Sequence, residues 1–206
     1  MRELIYVPII HTEVDMGSMA EPLKREFIQK FGVAKWRMHV RAIDDFWAGI
    51  RRRIDQLKVD PSRLRIYQDG IPVCGRELEI VREVSRLGSK NHQIVLELIE
   101  KRAHLEGTED PKLLVEEYRF VKELTGMSDP EKKKQAIDEA RPLRARLLVK
   151  RDRFVAKRIQ ETLQPGETGL LFTGIEHRVD KYLPKGFKIS YLIYRLPFKT
   201  LRPSPV

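Results

Sequence analysis

The sequence has very little cysteine: Cys74 is the single thiol among 206 residues. One thiol excludes an intramolecular disulfide and a cysteine-based zinc centre. Because Cys74 lies beside the turn-forming Gly75, we interpret it as a small buried side chain rather than a reactive thiol. The sequence also lacks long hydrophobic runs, and the apolar stretch at residues 4–10 is too short for a membrane span or a signal-peptide core. We therefore expect a cytoplasmic protein without a membrane partner.

Two groups of catalytic motif are also missing. The sequence contains neither the glycine-rich dinucleotide fingerprint nor the P-loop, which argues against nucleotide-driven chemistry. Ser18 and Ser190 both lack the glycine-flanked turn of a nucleophile elbow, so a serine hydrolase is not supported.

Charged residues are abundant and mostly basic, with a net charge of +10 and a pI of about 9.7. Such a balance is compatible with nucleic-acid binding. However, acidic residues are interspersed, the basic runs at residues 51–53 and 132–134 lie in helical patterns, and base-stacking aromatics in a strand pattern are absent. The pattern favours a solvated charged surface, with nucleic acid as a less favoured partner. Packing of the long charged helices in a homo-oligomer also stays open.

Short apolar segments alternate with helical patterns along the chain. Strands are predicted at residues 4–10, 63–67, 103–107, 169–174 and 188–194. This alternation predicts an α/β fold: a mostly parallel sheet of about five strands, with helices on both faces. We expect one domain over residues 1–206 and a frayed tail at about 197–206. We also expect Pro142 to interrupt the helical region at residues 128–163, either as a kink or as a helix boundary.

Reactive side chains follow several of these predicted strands, at the edge where ligands bind in open parallel sheets. They are His11, Glu13, Asp69, Glu109, Glu176 and His177. Imidazole and carboxylate groups suit a divalent metal ion or general acid–base catalysis, and a metal ion would turn water into a nucleophile near neutral pH.

Each of these residues also has a simpler interpretation. His11 would serve equally well as a helix cap, and Glu13 would interact with a helix N-terminus. Asp69 precedes Gly70 in a common turn pair. A functional role is favoured for His177, because Gly174 permits close approach of a ligand just before the imidazole.

Two motifs near the C-terminal end resemble a known superfamily. Arg151, Asp152 and Ala156 fit a helical motif of the form R-[ND]-x-x-hydrophobic-A, and Gly174 and His177 fit a following strand that ends in G-x-x-H. This arrangement resembles the superfamily of erythromycin esterases, ChaN haem-uptake proteins and TraB/Tiki proteins, mainly over residues 151–183.

The resemblance implies an α/β domain with paired histidines, carboxylates and an arginine around one cleft. His11 occupies the place of the superfamily's first histidine, although Pro8 stands where the group has glycine. Arg151 would hold a carboxylate or an oxyanion with its planar guanidinium. The alternative for Arg151 is a surface position paired with Asp152 or Glu161.

We therefore expect a hydrolase-like enzyme, with or without a divalent metal ion, that acts on a small-molecule or peptide substrate. The predicted metal ligands are His11, Asp69, Glu109 and His177. The predicted catalytic groups are Glu13, Arg151 and Glu176. The alternative function is a non-catalytic binding or regulatory module for a small ligand or nucleic acid.

Overall fold

Five parallel strands form one sheet in the order β3-β2-β4-β1-β5 in the computed structural model, which describes residues 1–194. Every pair of neighbouring strands is parallel. The strands are β1 (Arg2–Pro8), β2 (Leu64–Gln68), β3 (His104–Glu106), β4 (Thr168–Thr173) and β5 (Phe187–Tyr191). All six residues of β4 are buried, which agrees with its central place between β1 and β2.

Helices connect the strands. They are α1 (Ala20–Phe31), α2 (Val33–Asp55), α3 (Glu77–Arg86), α4 (Lys90–Glu100), α5 (Pro111–Gly126) and α6 (Pro130–Thr162). Short 3-10 segments precede α1 and follow β4, at Val14–Met19 and Val179–Tyr182. The Asp110 carboxylate caps α5 by accepting from the Lys112 N–H at 2.8 Å, as the sequence Asp110-Pro111 indicates.

The two faces of the sheet carry separate hydrophobic cores. On one face, Ile5, Val7, Ile66 and Phe172 pack with apolar residues of α2, α3 and α4. On the other face, side chains of β1, β2 and β4 pack with α6 and with the 3-10 segment Val179–Tyr182. Burial of these apolar surfaces is the main stabilising contribution. The predicted α/β class, with a parallel sheet covered on both faces, is confirmed.

The chain leaves neighbouring strands toward opposite faces. The segment after β2 leads to α3, which packs in the first core through Val81, whereas the segment after β4 leads to Val179 in the second core. Such a divergence opens a crevice at the carboxyl ends of the two strands. The fold therefore brings the segments after β2 and β4 to one edge.

Two expectations from the sequence are wrong. Pro142 lies inside α6, which continues through it to Thr162, so the helix boundary, one of the two forms of interruption expected there, is wrong. Proline removes one helical N–H donor, and at the exposed position of Pro142 water can satisfy the carbonyl that loses it. Cys74 is exposed rather than buried, in the loop before α3.

The predicted frayed tail at about 197–206 lies outside the described residues. Across residues 1–194, no helix is both long and apolar enough to cross a bilayer.

Candidate functional site

Arg151 of α6 lies at the centre of a buried network of charges. Its guanidinium donates to both carboxylate oxygens of Glu109, from Nε at 3.2 Å and from Nη2 at 2.7 Å. Nη2 also donates to Asp69 Oδ1 at 2.6 Å, and Nη1 donates to Glu117 Oε2 at 2.5 Å. The side chains of Arg151 and Glu109 are 5% and 1% exposed, so this is a two-point ion pair in the interior.

Asp69 and Glu109 owe their positions to backbone contacts. The Asp69 N–H donates to the Phe172 carbonyl at 2.9 Å, which extends the β2–β4 ladder by one residue. The Glu109 N–H donates to the Ile71 carbonyl at 3.0 Å. The segments after β2 and β3 are thereby held together, and Arg151 neutralises the carboxylates that they present.

His177 is held between two carboxylates. Its Nδ1 lies 2.6 Å from Asp152 Oδ1, and its Nε2 lies 3.5 Å from Asp69 Oδ2. The His177 N–H donates to the Gly174 carbonyl at 3.2 Å, which closes a tight turn after β4. The other oxygen of Asp152 accepts from the Arg178 N–H at 2.9 Å. The imidazole orientation is therefore fixed by α6 and by the turn together.

The carboxylates set the protonation of the network. Burial lowers the pKa of His177, but the hydrogen bond to Asp152 and the charge of Asp69 outweigh burial, so its pKa lies above the ordinary value. Burial raises the pKa of Asp69, yet the charges of His177 and Arg151 hold it below the ordinary value. Burial raises the pKa of Glu109 against the opposing effect of Arg151.

We expect His177 to make stability depend on pH in a defined window. Its pKa is raised on folding, so its stabilising contribution is complete below the unfolded value, about 6.5, and is lost as pH rises through the folded value. Within that window the free energy of unfolding should fall by up to about 1.4 kcal/mol per pH unit, the limit for one proton. Urea unfolding at several pH values between 6 and 9 measures this slope.

His177→Gln should remove this slope, whereas His104→Gln, at an exposed position on β3, should keep it. An unchanged slope in His177→Gln would show that another group controls this pH range.

The structure brings together four of the predicted site residues: Asp69, Glu109, Arg151 and His177. The other three predicted residues lie elsewhere. His11 and Glu13 line a cavity of about 440 Å³ beside α1 and α2, and Glu13 forms an ion pair with Lys24 at 2.9 Å. Glu176 is exposed at the surface of the turn after β4.

The network holds a pair of possible metal-ligand atoms, His177 Nε2 and Asp69 Oδ2. Across residues 1–194, no group of three or more His, Cys, Asp or Glu side chains is arranged to hold a metal ion. His177 Nε2 and Asp69 Oδ2 face one another at 3.5 Å, close to the spacing of about 3.4 Å between two ligands of a tetrahedral ion with bonds of ~2.1 Å. This pair could supply two ligands, while both oxygens of Glu109 accept from Arg151.

Two residues of the network were not predicted as site residues. Asp152 stood in the helical motif and was considered only as a partner of Arg151, although its carboxylate orients His177. Its place directly after Arg151 was the available signal. Glu117 carries no sequence signal, because its contact with Arg151 depends on the packing of α5 against α6.

Comparisons of this chain with models of protein families, with curated proteins and with solved structures find no match. The superfamily resemblance therefore stays a prediction, and the functional argument depends on the geometry of the site.

Proposed function

We propose that this protein is a hydrolase-like enzyme in which His177 transfers protons. The observation that carries the proposal is the imidazole held by Asp152 at Nδ1, with Nε2 turned toward Asp69. A carboxylate at Nδ1 favours the tautomer with the proton on Nδ1, which leaves Nε2 as the basic atom. The 3.5 Å separation from Asp69 exceeds a normal N–H···O hydrogen bond, so the Nε2 lone pair has no hydrogen-bond donor among the described residues. The His177 side chain is 6% exposed, so a water molecule or a substrate hydroxyl would reach Nε2 only by entering the crevice between β2 and β4.

The raised pKa of His177 agrees with this role. The hydrogen bond to Asp152 and the charge of Asp69 raise the pKa, which makes the imidazole a stronger proton acceptor than a free histidine. Asp152 would stabilise the imidazolium that forms when Nε2 takes a proton. Asp69, on the other side of the ring, would stabilise the same positive charge.

Arg151 would have two roles. It would hold the carboxylates of Asp69 and Glu109 in position, and its Nη1 would bind an anion. Its contact with Glu117 differs from the other two, because the Glu117 side chain is 39% exposed whereas the Asp69 and Glu109 side chains are 14% and 1% exposed. A substrate carboxylate or a developing oxyanion could replace Glu117 at Nη1 without exposing a buried charge. This exchange would hold the carboxylate or oxyanion of an acyl or peptide substrate at Arg151, whose Nη2 contacts the same Asp69 that lies next to His177.

In a more specific version of the proposal, the enzyme uses a divalent metal ion. His177 Nε2 and Asp69 Oδ2 would hold it, and it would supply Lewis acidity and an acidified water. The support for this version is the spacing and chemistry of these two donors. In the metal-free version, His177 acts as the base, Asp152 and Asp69 stabilise its charge, and Arg151 binds the anion.

A panel of chromogenic esters and short peptides tests the proposed hydrolysis. We expect wild-type protein to turn over at least one member of the panel and His177→Gln to show no turnover above buffer. His104→Gln serves as the matched control, because it makes the same replacement at an exposed position. Equal turnover by wild type and His177→Gln would contradict the proposal.

The same assay separates the two versions. Loss of turnover on dialysis against a chelator, with recovery on addition of Zn²⁺ or Mn²⁺, would support the metal-assisted version. Turnover that persists after chelation, with no stoichiometric metal by elemental analysis, would support the metal-free version.

A further inference from the structure

A second feature of the molecule is the cavity of about 440 Å³ between the segment that follows β1 and the hairpin of α1 and α2. Its volume lies in the range of small-molecule binding sites. Most of its wall is apolar and comes from the two helices. The main apolar lining residues are Leu23, Phe27, Phe31, Trp36, Val40 and Ile43.

The aromatic side chains of this wall pack against one another. The Phe27 ring lies 5.4 Å from the Trp36 ring, edge to face, and 5.4 Å from the His39 ring, stacked. A wall of mutually packed rings presents flat apolar surfaces that are already in position for a ligand ring.

The hairpin leaves part of its own apolar surface exposed. None of the residues of α1 is buried, Phe31 of this helix is 43% exposed, and Met16 in the preceding 3-10 segment is 39% exposed. A molecule in the cavity would therefore remove apolar surface from water that the fold itself leaves accessible.

Charges of both signs surround the cavity. Three acidic side chains and two lysines line it, and two further lysines lie over lining rings, Lys24 over Trp36 and Lys35 over Phe31. The acids are Glu13, Glu26 and Asp44, and the two lining lysines are Lys30 and Lys90. Because charges of both signs lie around a mostly apolar wall, neither an anion nor a cation finds a site of one sign, so the complementary ligand is neutral.

One end of the cavity is polar. His11 and Thr12 line it, and the Thr12 hydroxyl donates to Asp15 Oδ2 at 2.7 Å, which leaves the lone pairs of its oxygen free to accept. His11 presents an imidazole with one donor and one acceptor in its neutral form. A single polar group on the ligand could be satisfied there.

We propose that this cavity binds a neutral, mainly apolar small molecule that carries a ring system and one polar group, with the polar group at His11 and Thr12. The site uses none of the residues of the His177 network. The binding proposal is therefore independent of the proposed hydrolase function, and either one can be wrong without affecting the other.

The neutral fluorescent probe N-phenyl-1-naphthylamine tests this proposal with the full chain. We expect saturable binding of one probe per chain, with a dissociation constant on the order of 1–100 μM. Ala20→Phe and Val40→Phe add bulk at two lining positions and should each weaken binding at least tenfold. Met38→Phe adds a ring at a position that is 69% exposed and outside the lining, so it should bind as wild type does.

Circular dichroism and gel filtration accompany each titration, and a neutral diazirine-bearing aromatic probe provides a test that needs no variant. Photolabelling of wild-type protein that maps to residues 11–44 supports the proposal. Labelling confined to other segments, no saturable binding, or equal affinity in folded Ala20→Phe and Val40→Phe would overturn it. A stable dimer that excludes the probe would also overturn it, because a second copy would then occupy the hairpin.

Discussion

Arg151→Met is expected to lower the free energy of unfolding by about 3–5 kcal/mol, the usual cost of removing one partner of a buried ion pair. The replacement leaves the carboxylates of Glu109 and Asp69 close together in the interior, without the guanidinium that contacts both. Glu109 is 1% exposed, so solvent cannot replace the lost cation. Urea unfolding at pH 7, followed by circular dichroism, measures the change.

Lys150→Met is the matched control, because Lys150 is the exposed neighbour of Arg151 on α6 and should change stability by less than about 0.5 kcal/mol. Acid should partly rescue Arg151→Met. Without the guanidinium, the folded-state pKa of Glu109 rises further above its unfolded value, so protonation near pH 5 favours the folded variant. A loss below about 1 kcal/mol at pH 7 would mean that the carboxylates find other partners.

Asp152→Asn should reduce kcat by about 10²–10⁴ on any substrate that the ester and peptide panel identifies, the range for loss of a general base. In wild type, Asp152 Oδ1 contacts His177 Nδ1 and Asp152 Oδ2 accepts from the Arg178 N–H. The Arg178 N–H requires an acceptor, so the asparagine oxygen would take that position and its NH₂ would face His177 Nδ1. Nδ1 would then accept, and Nε2 would carry the proton instead of receiving one.

A spectroscopic measurement separates this effect from simple loss of structure. The hydrogen bond from Asp152 raises the pKa of His177, so NMR titration of the imidazole C–H signals should show a lower His177 pKa in Asp152→Asn than in wild type. Asp138→Asn, which changes an exposed aspartate of the same helix, should leave both kcat and the His177 titration unchanged. A fall in kcat without a change in the His177 pKa would contradict the proposed role of Asp152.

The predicted fold came from local patterns, and these patterns located the strands to within a few residues. The stretch Leu4-Ile5-Tyr6-Val7 predicted β1, in which all four residues are buried. Strand order could not be predicted, because the pairing of β4 between β1 and β2 depends on long-range packing rather than on neighbours in sequence. Pro142 misled the prediction because an exposed proline can stay within a helix that other residues hold in place.

The site residues that come shortly after a strand in the sequence could be predicted. Asp69, Glu109 and His177 come after β2, β3 and β4, and the carboxyl ends of parallel strands share one edge. The same rule does not tell how far a residue lies from its strand or which way it turns. His11 follows β1 by three positions and lines the cavity beside α1 and α2 instead. The partners of His177 and Arg151 on α5 and α6 required the tertiary structure.

The two residues at the centre of the network are consecutive on α6. Arg151 holds Glu109 and Asp69, while Asp152 holds His177 and the backbone of the turn after β4. Successive side chains of a helix point about 100° apart, so one helix sets the spacing between the carboxylates and the imidazole. A shift of α6 by one turn, about 5.4 Å, would break both sets of contacts at once. Because α6 carries both residues, any movement of this helix shifts the carboxylates held by Arg151 and the imidazole held by Asp152 at the same time.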